Sequence, residues 1–135
     1  MHSEATESYS QNDLLTWASV LESYARDWDS SFEHKPSYYT QEFWYLFVSC
    51  LASAWRGEPL TITEACQAMK VGSQRTREER IKKAIYDGYL EKQRSQENGR
   101  EIMLLPTAKL QSVVAAHLER TLNLTRQTLN ALDNN

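Results

Sequence analysis

Ser73-Gln74-Arg75-Thr76-Arg77-Glu78-Glu79-Arg80-Ile81-Lys82-Lys83-Ala84-Ile85-Tyr86-Asp87-Gly88 is the stretch on which the fold turns. Serine is a preferred N-cap and glycine a preferred C-terminal stop, so the segment reads as one helix over 73–87. At about 100° per residue, Ile81, Ala84, Ile85 and Gly88 share one side. Arg75, Thr76, Glu79, Arg80, Lys83 and Tyr86 share the other. Upstream, Leu60-Thr61-Ile62 is a short β-prone piece, and Thr63 opens a short helix through Met69 with Ala65, Cys66, Ala68 and Met69 apolar. Lys70-Val71-Gly72 then forms a turn. Helix, glycine-containing turn and helix make a helix-turn-helix. Downstream, Tyr89 to Arg94 and Glu101 to Leu105 read as two strands joined through Asn98-Gly99, a strong hairpin signal. Leu90, Ile102 and Leu104 point inward, while the tip projects Arg94, Asn98 and Arg100.

The flanks are helical. Leu14, Trp17, Ala18, Leu21, Tyr24, Ala25 and Trp28 fall at helical spacing, predicting a first helix over 12–28 capped by Asn12 or Asp13. Residues 1–11 read as a disordered tail. Asp29 to Tyr39, containing Pro36, reads as a connector. Thr40 caps a second helix that ends at Arg56-Gly57; it is apolar on most faces and should be central. Thr107 caps a last helix to about Leu132, with Leu110, Val114, Leu118, Leu122, Thr125, Leu129 and Leu132 close to a heptad seam; the series can fold back on the first helix as core or pair with a second chain, and a dimer of the first and last helices is the favoured reading. The expected fold is therefore mainly α with a small β-hairpin wing. A winged helix-turn-helix over 60–106 lies between N-terminal helices (12–59) and a C-terminal dimerisation helix (107–132), in one domain over 12–135.

Charge supports a polyanionic partner locally rather than globally. The 135-residue chain carries a net charge of −3. Residues 70–109 hold ten basic and six acidic side chains, a net +4 against −7 elsewhere. Such a segment is an electrostatic footprint that whole-chain acidity hides. The major groove, about 12 Å wide, admits one helix. Arg75, near the start of the recognition helix, suits a guanine edge, and Thr76 suits a thymine methyl or a phosphate. Glu79 suits a cytosine amino group or an ion pair with Lys83. Arg80, Lys82 and Lys83 suit phosphates, and Ser73 caps the helix at the DNA. Arg94, Asn98 and Arg100 suit the adjacent minor groove, with Asn98-Gly99 serving mainly the turn. As isolated charges, Glu78, Glu79, Lys82 and Lys83 read better as a solvated helix face; the hairpin at the right distance shifts the reading towards DNA.

Residues 60–109 resemble the DNA-binding domain of the MarR family of bacterial transcriptional regulators. The resemblance rests on Ser73 and Thr76 at the recognition-helix start, Ile81 and Ile85 before Gly88-Tyr89-Leu90, the wing arginine Arg100, and Leu105-Pro106-Thr107-Ala108-Lys109 after the wing. Asn98-Gly99 stands where the family carries an acid before its wing arginine, and Leu110 stands near a family glycine. The resemblance implies a homodimer, a palindromic operator and often a small-molecule effector.

Other readings are narrower. Twelve of the fourteen aromatic residues precede Leu60. Trp17, Trp28, Trp44 and Trp55, with Tyr24, Tyr38, Tyr39, Tyr45, Phe43 and Phe47, read first as core and dimer interface, and secondarily as walls of a pocket for an aromatic effector. Cys50 and Cys66 read as small buried apolar residues rather than a disulfide or a zinc site, with oxidation sensing by Cys66 a minor alternative. His117 reads as a packed or surface histidine, with a pH-sensitive contact the minor alternative. No phosphate-binding loop, metal cluster or nucleophile motif points to an enzyme, and no cofactor is expected. The absence of a signal peptide and of a long apolar run gives a cytoplasmic expectation. The contrasting functional class is a winged helix used for protein–protein interaction without DNA, suggested by the net acidity and by Glu78-Glu79.

Overall fold

The computed structural model describes residues 8–133, apart from the side chain of Asp133. Helix α1 spans Gln11–Ser31 and is followed by a 3-10 turn, Pro36–Tyr38. Then come α2 (Gln41–Trp55), β1 (Leu60–Thr61), α3 (Ile62–Ala68), α4 (Gln74–Tyr86), β2 (Leu90–Arg94), β3 (Ile102–Pro106) and α5 (Ala108–Asp133). The three strands form one antiparallel sheet in the order β1-β3-β2, with Leu60 and Lys92 both paired to Leu104. This is the mainly α architecture with a hairpin wing that the sequence predicts.

Local chemistry explains most boundaries. Thr40 accepts from Phe43 N at 3.3 Å, and Gly57 ends the helix-terminal turn at φ +83°, so α2 is bounded as expected. Helix α1 differs at both ends. Its cap is Ser10 rather than Asn12 or Asp13, because Ser10 Oγ and the Asp13 carboxylate each accept from the other's backbone N–H. The expected tail therefore gives way to structure at Ser10 and Gln11, while residues 1–7 lie outside the described residues. At the other end α1 runs to Ser31, which brings Phe32 within 4.8 Å of the Trp28 ring. Helix α3 begins at Ile62, not Thr63, because Thr61 and Glu64 form the same reciprocal box.

One aromatic cluster holds the flanking helices on the winged module. Trp28, Phe32, Tyr38, Phe43, Phe47 and Tyr89 are all buried, with ring centroids 4.6–6.3 Å apart in the contacting pairs. Trp28 Nε1 donates to Tyr38 O at 2.9 Å, which satisfies the one polar group of that buried indole. Leu90, Leu104, Leu110 and Val114 continue the core from the wing into α5. Of the ten aromatic residues with core or pocket readings, Trp28, Tyr38, Phe43 and Phe47 are buried core, Tyr24, Trp44 and Tyr45 are partly buried, and Trp17, Tyr39 and Trp55 are exposed.

Helix α5 divides the apolar series in two. It packs on α1 of the same chain, and only the first part of the apolar series is buried. Leu110 and Val114 are fully buried, whereas Leu122 and Leu129 are exposed. Successive four-residue steps each rotate the stripe by about 40° on a 3.6-residue helix. Leu122 has therefore turned well away from the core face that Leu110 occupies.

Candidate nucleic-acid interface

Helix α4 is set by its two ends. Ser73 Oγ accepts from Thr76 N at 3.1 Å, and Gly72 before it holds φ +114°, a conformation that excludes most side chains. At the far end Asp87 and Gly88 close the helix onto the carbonyls of Lys83 and Ile85. Ile81 and Ala84 are buried against the body, and Ile85 is packed against the core edge. The outermost ridge is then Arg75, Glu79, Lys82 and Tyr86, one residue per turn and all exposed.

The predicted contact residues divide into three groups. Arg75 stands free of the body and, among the described residues, pairs only with Glu79, at 3.7 Å. Lys82 is exposed on the same ridge, and Thr76 is exposed one position round with its hydroxyl bonded to Ser73. Arg80 and Lys83, by contrast, lie on a flank turned towards α2 and the α1–α2 connector. Arg80 is half-buried; its guanidinium donates to Val71 O and sits 3.9 Å from Glu42. Glu42 also accepts from Val71 N. This clamp ties the turn, α4 and the start of α2 together, so Arg80 has a fold-holding position in place of the outward one the wheel implied. Lys83 pairs with Asp87 at 3.3 Å and stands over the Tyr38 ring. The phenol of Tyr38 donates to Asp87 and holds that carboxyl below its usual range despite partial burial, with Lys83 adding to the effect. Burial, together with Asp87, pushes the Tyr38 phenol up, which keeps it a donor.

The wing departs from a two-residue hairpin. Ser95 N donates to Glu101 O at 2.9 Å, leaving a five-residue loop beyond that bond. Asn98 Oδ1 accepts from the N–H groups of Arg100 and Glu101, and only Gly99 of the Asn-Gly pair has positive φ (+66°). A type I′ turn needs positive φ at both central residues, so the Asn-Gly signal locates the turn but belongs to a longer loop. Asn98 is committed to that loop. Arg94 donates to Gly99 O at 2.7 Å and braces the loop from beneath. Arg100 is exposed with no side-chain partner among the described residues.

Two residues, Tyr86 and Glu42, are assigned no role by sequence reasoning, while Trp44 reads as core or pocket wall. Tyr86 is 90% exposed at the end of the ridge, where the wheel already placed it. Glu42 reads in sequence only as an acidic helix start, and its clamp needs the tertiary fold. Trp44, with Tyr24, Trp28 and Tyr39, lines a cavity of about 470 Å³ between α1 and the start of α2. This cavity holds part of the expected aromatic pocket set; Trp55 instead lies exposed and bonds Gln111 at 3.2 Å. Burial pushes the Tyr24 hydroxyl up to about 12. Behind it, His117 is fully buried between the Tyr24 and Trp28 rings, with Nδ1 2.8 Å from Asp27, which also accepts from Arg120 at 2.7 Å. Cys50 and Cys66 are buried and unpaired; burial pushes the Cys50 thiol up to about 12 and raises that of Cys66.

The chain has the winged-helix fold of the MarR-family transcriptional regulators. It superimposes on NadR in complex with 4-hydroxyphenylacetate with a TM-score of 0.61 at 12% identity, covering 98% of this chain and 86% of that one. Similarity extends to the transcriptional regulator Tm0710 of Thermotoga maritima (TM-score 0.56, 17% identity, 91% and 82% covered). It extends also to AbsC, a MarR-family regulator of Streptomyces coelicolor (0.54, 12%, 94% and 84%). No protein-family model and no curated protein sequence matches the chain. No helix of the described residues is long and apolar enough to cross a membrane.

Proposed function

We propose that this chain is a cytoplasmic, sequence-specific double-stranded DNA-binding regulator that acts as a dimeric repressor on a palindromic operator. The observation that carries the reading is the exposed α4 ridge, led by Arg75, beside a wing whose tip presents an unpaired Arg100. In this reading the recognition helix, 73–87, enters the major groove and the wing, 94–100, lies at the adjacent minor groove. Lys82 supplies a phosphate contact from the ridge, and Lys83 one from its edge. Arg80 acts through Glu42 and Val71 by holding α4 at its angle. Dimerisation uses the exposed apolar side chains of the α1–α5 pair, among them Leu14, Leu15, Leu21, Leu122 and Leu129. The cavity walled by Tyr24, Trp28, Tyr39 and Trp44 suits a small aromatic effector, a chemistry that the bound ligand of the NadR structure shares.

Fluorescence anisotropy with duplexes from the chain's own upstream region tests the reading. Binding should be tighter than to random duplex at moderate salt and should fall steeply as salt rises. The near balance of charge on the ridge, where Glu79 answers Arg75, favours one second reading: a winged helix that docks a protein. Affinity that is flat with salt and equal for all duplexes would select it.

A further inference from the structure

A gathering of cations lies off the ridge. It lies where the connector between α1 and α2 meets the end of α4 and the start of α5. His34, Lys35 and Ser37 from the connector, Lys83 and Asp87 from α4, and Lys109 from α5 line a cavity of about 530 Å³ there. Its one carboxylate is already engaged. Asp87 Oδ2 accepts from the Tyr38 phenol at 2.5 Å and pairs with Lys83 at 3.3 Å. The other two ammonium groups meet only neutral oxygens. Lys35 Nζ bonds the Tyr89 hydroxyl at 2.9 Å, and Lys109 Nζ bonds the Asp87 carbonyl at 2.8 Å. Both stand by the Tyr89 ring, 5.2 and 4.4 Å from its centroid. Neither lies within 4.0 Å of a carboxylate oxygen among the described residues, although Asp87 attracts Lys35 from farther away.

Three lysines around one occupied carboxylate leave excess positive charge in a concave space, where field lines concentrate. Lysine is a point-charge partner for phosphate, and its flexible stem lets several converge on one group. At the lip of the cavity His34 is the one non-glycine among the described residues with positive φ (+67°).

We propose that this cavity binds a phosphate group through Lys35, Lys83 and Lys109, carried either by a small phosphorylated molecule or by a DNA backbone. Because Lys83 and Asp87 belong to α4, an occupant there joins the end of the recognition helix to the connector and to α5. The inference does not depend on DNA recognition by the ridge.

The test is a titration of the full chain with inorganic phosphate in chloride buffer of constant ionic strength, followed by amide NMR shifts. Saturable shifts at residues 34–38, 83–89 and 108–110 are expected. The Lys35→Ala/Lys109→Ala double variant should weaken binding by on the order of tenfold or more. Lys92→Ala, on an exposed strand outside the cavity, should leave it unchanged. Lys35→Arg/Lys109→Arg should retain binding and so separate lost charge from a lost fold. Linear, unsaturable shifts, or equal weakening by Lys92→Ala, would overturn the proposal. DNA binding by the double variant in phosphate-free buffer then separates the sources. Weakened DNA binding that phosphate also competes away marks a backbone phosphate; unchanged DNA affinity beside saturable phosphate binding marks a small phosphorylated molecule.

Discussion

Arg75 and Arg80 carry the same guanidinium on the same helix and meet different surroundings. Arg75 has one partner, Glu79, across open solvent, and an exposed pair of that kind contributes little. Its fork is available to a base edge once Glu79 swings aside. Arg75→Ala is therefore expected to remove preference at one base pair, about 1–3 kcal/mol, in a binding-site selection or competition assay. Arg100→Ala should instead weaken cognate and random duplex alike and reduce the salt slope by about one. Equal effects of both changes on both duplexes would remove this division of labour. Asp27, like Asp87, is a carboxylate whose folded environment favours its charged form, and so contributes to acid stability. Burial opposes its charge, but hydrogen bonds from Arg120 and then His117 prevail and hold its carboxyl below the ordinary 3.8. As pH falls the unfolded chain therefore takes up this proton first. The stabilisation is complete above about pH 5 and disappears as pH drops through the folded value. Asp27→Asn should lower stability by about 1–3 kcal/mol at neutral pH and remove that part of the acid limb in urea melts.

At the scale of elements, the turn between α3 and α4 is the most constrained piece. A Cβ on Gly72 would stand 3.1 Å from both Thr76 and Arg80, at a φ of +114°. Gly72→Ala should destabilise by more than about 1 kcal/mol, with a thermal melt as the readout, and should also loosen the clamp that Arg80 makes to Val71 and Glu42. Sequence reading reaches such elements where the signal is local. Thr40, Ser73 and Thr107 cap the helices they precede, and the α4 wheel separates Ile81 and Ala84 from Arg75 because a helix face depends only on spacing. It falls short where a partner is distant. Arg80 and Lys83 look outward on the wheel, and only Glu42 and Tyr38, from segments far upstream, turn that flank into a contact surface. Spacing alone also leaves open which of the α5 leucines the chain itself covers. A heptad reading assumes a partner that supercoils with the helix, and a straight helix on α1 rotates the same leucines out of the core.

At the scale of the whole molecule, the rotated seam becomes useful. Residues 11–19 of α1 are exposed except for a partly covered Asp13, and Leu122 and Leu129 of α5 are exposed as well. The two-helix arm thus buries one face within the chain and leaves a second apolar face uncovered, larger than scattered surface leucines need. A second copy of the chain on that face would set two recognition helices apart at a fixed distance. Successive major grooves on one face of B-DNA recur about every 34–36 Å, so an interface far from the DNA sets the operator spacing. Leu21 and Leu129 are 52% and 48% exposed in the isolated chain, so a carboxylate at either costs the monomer fold little. Buried in an interface it would be desolvated without a partner. Leu21→Glu/Leu129→Glu is therefore expected to shift the mass measured by light scattering from dimer to monomer, with the melting temperature extrapolated to low concentration nearly unchanged. Affinity for a two-half-site operator should fall towards that for a single half-site, while half-site affinity itself stays constant. A variant that remains dimeric would place the interface on another surface and leave the exposed leucines of the arm without a role.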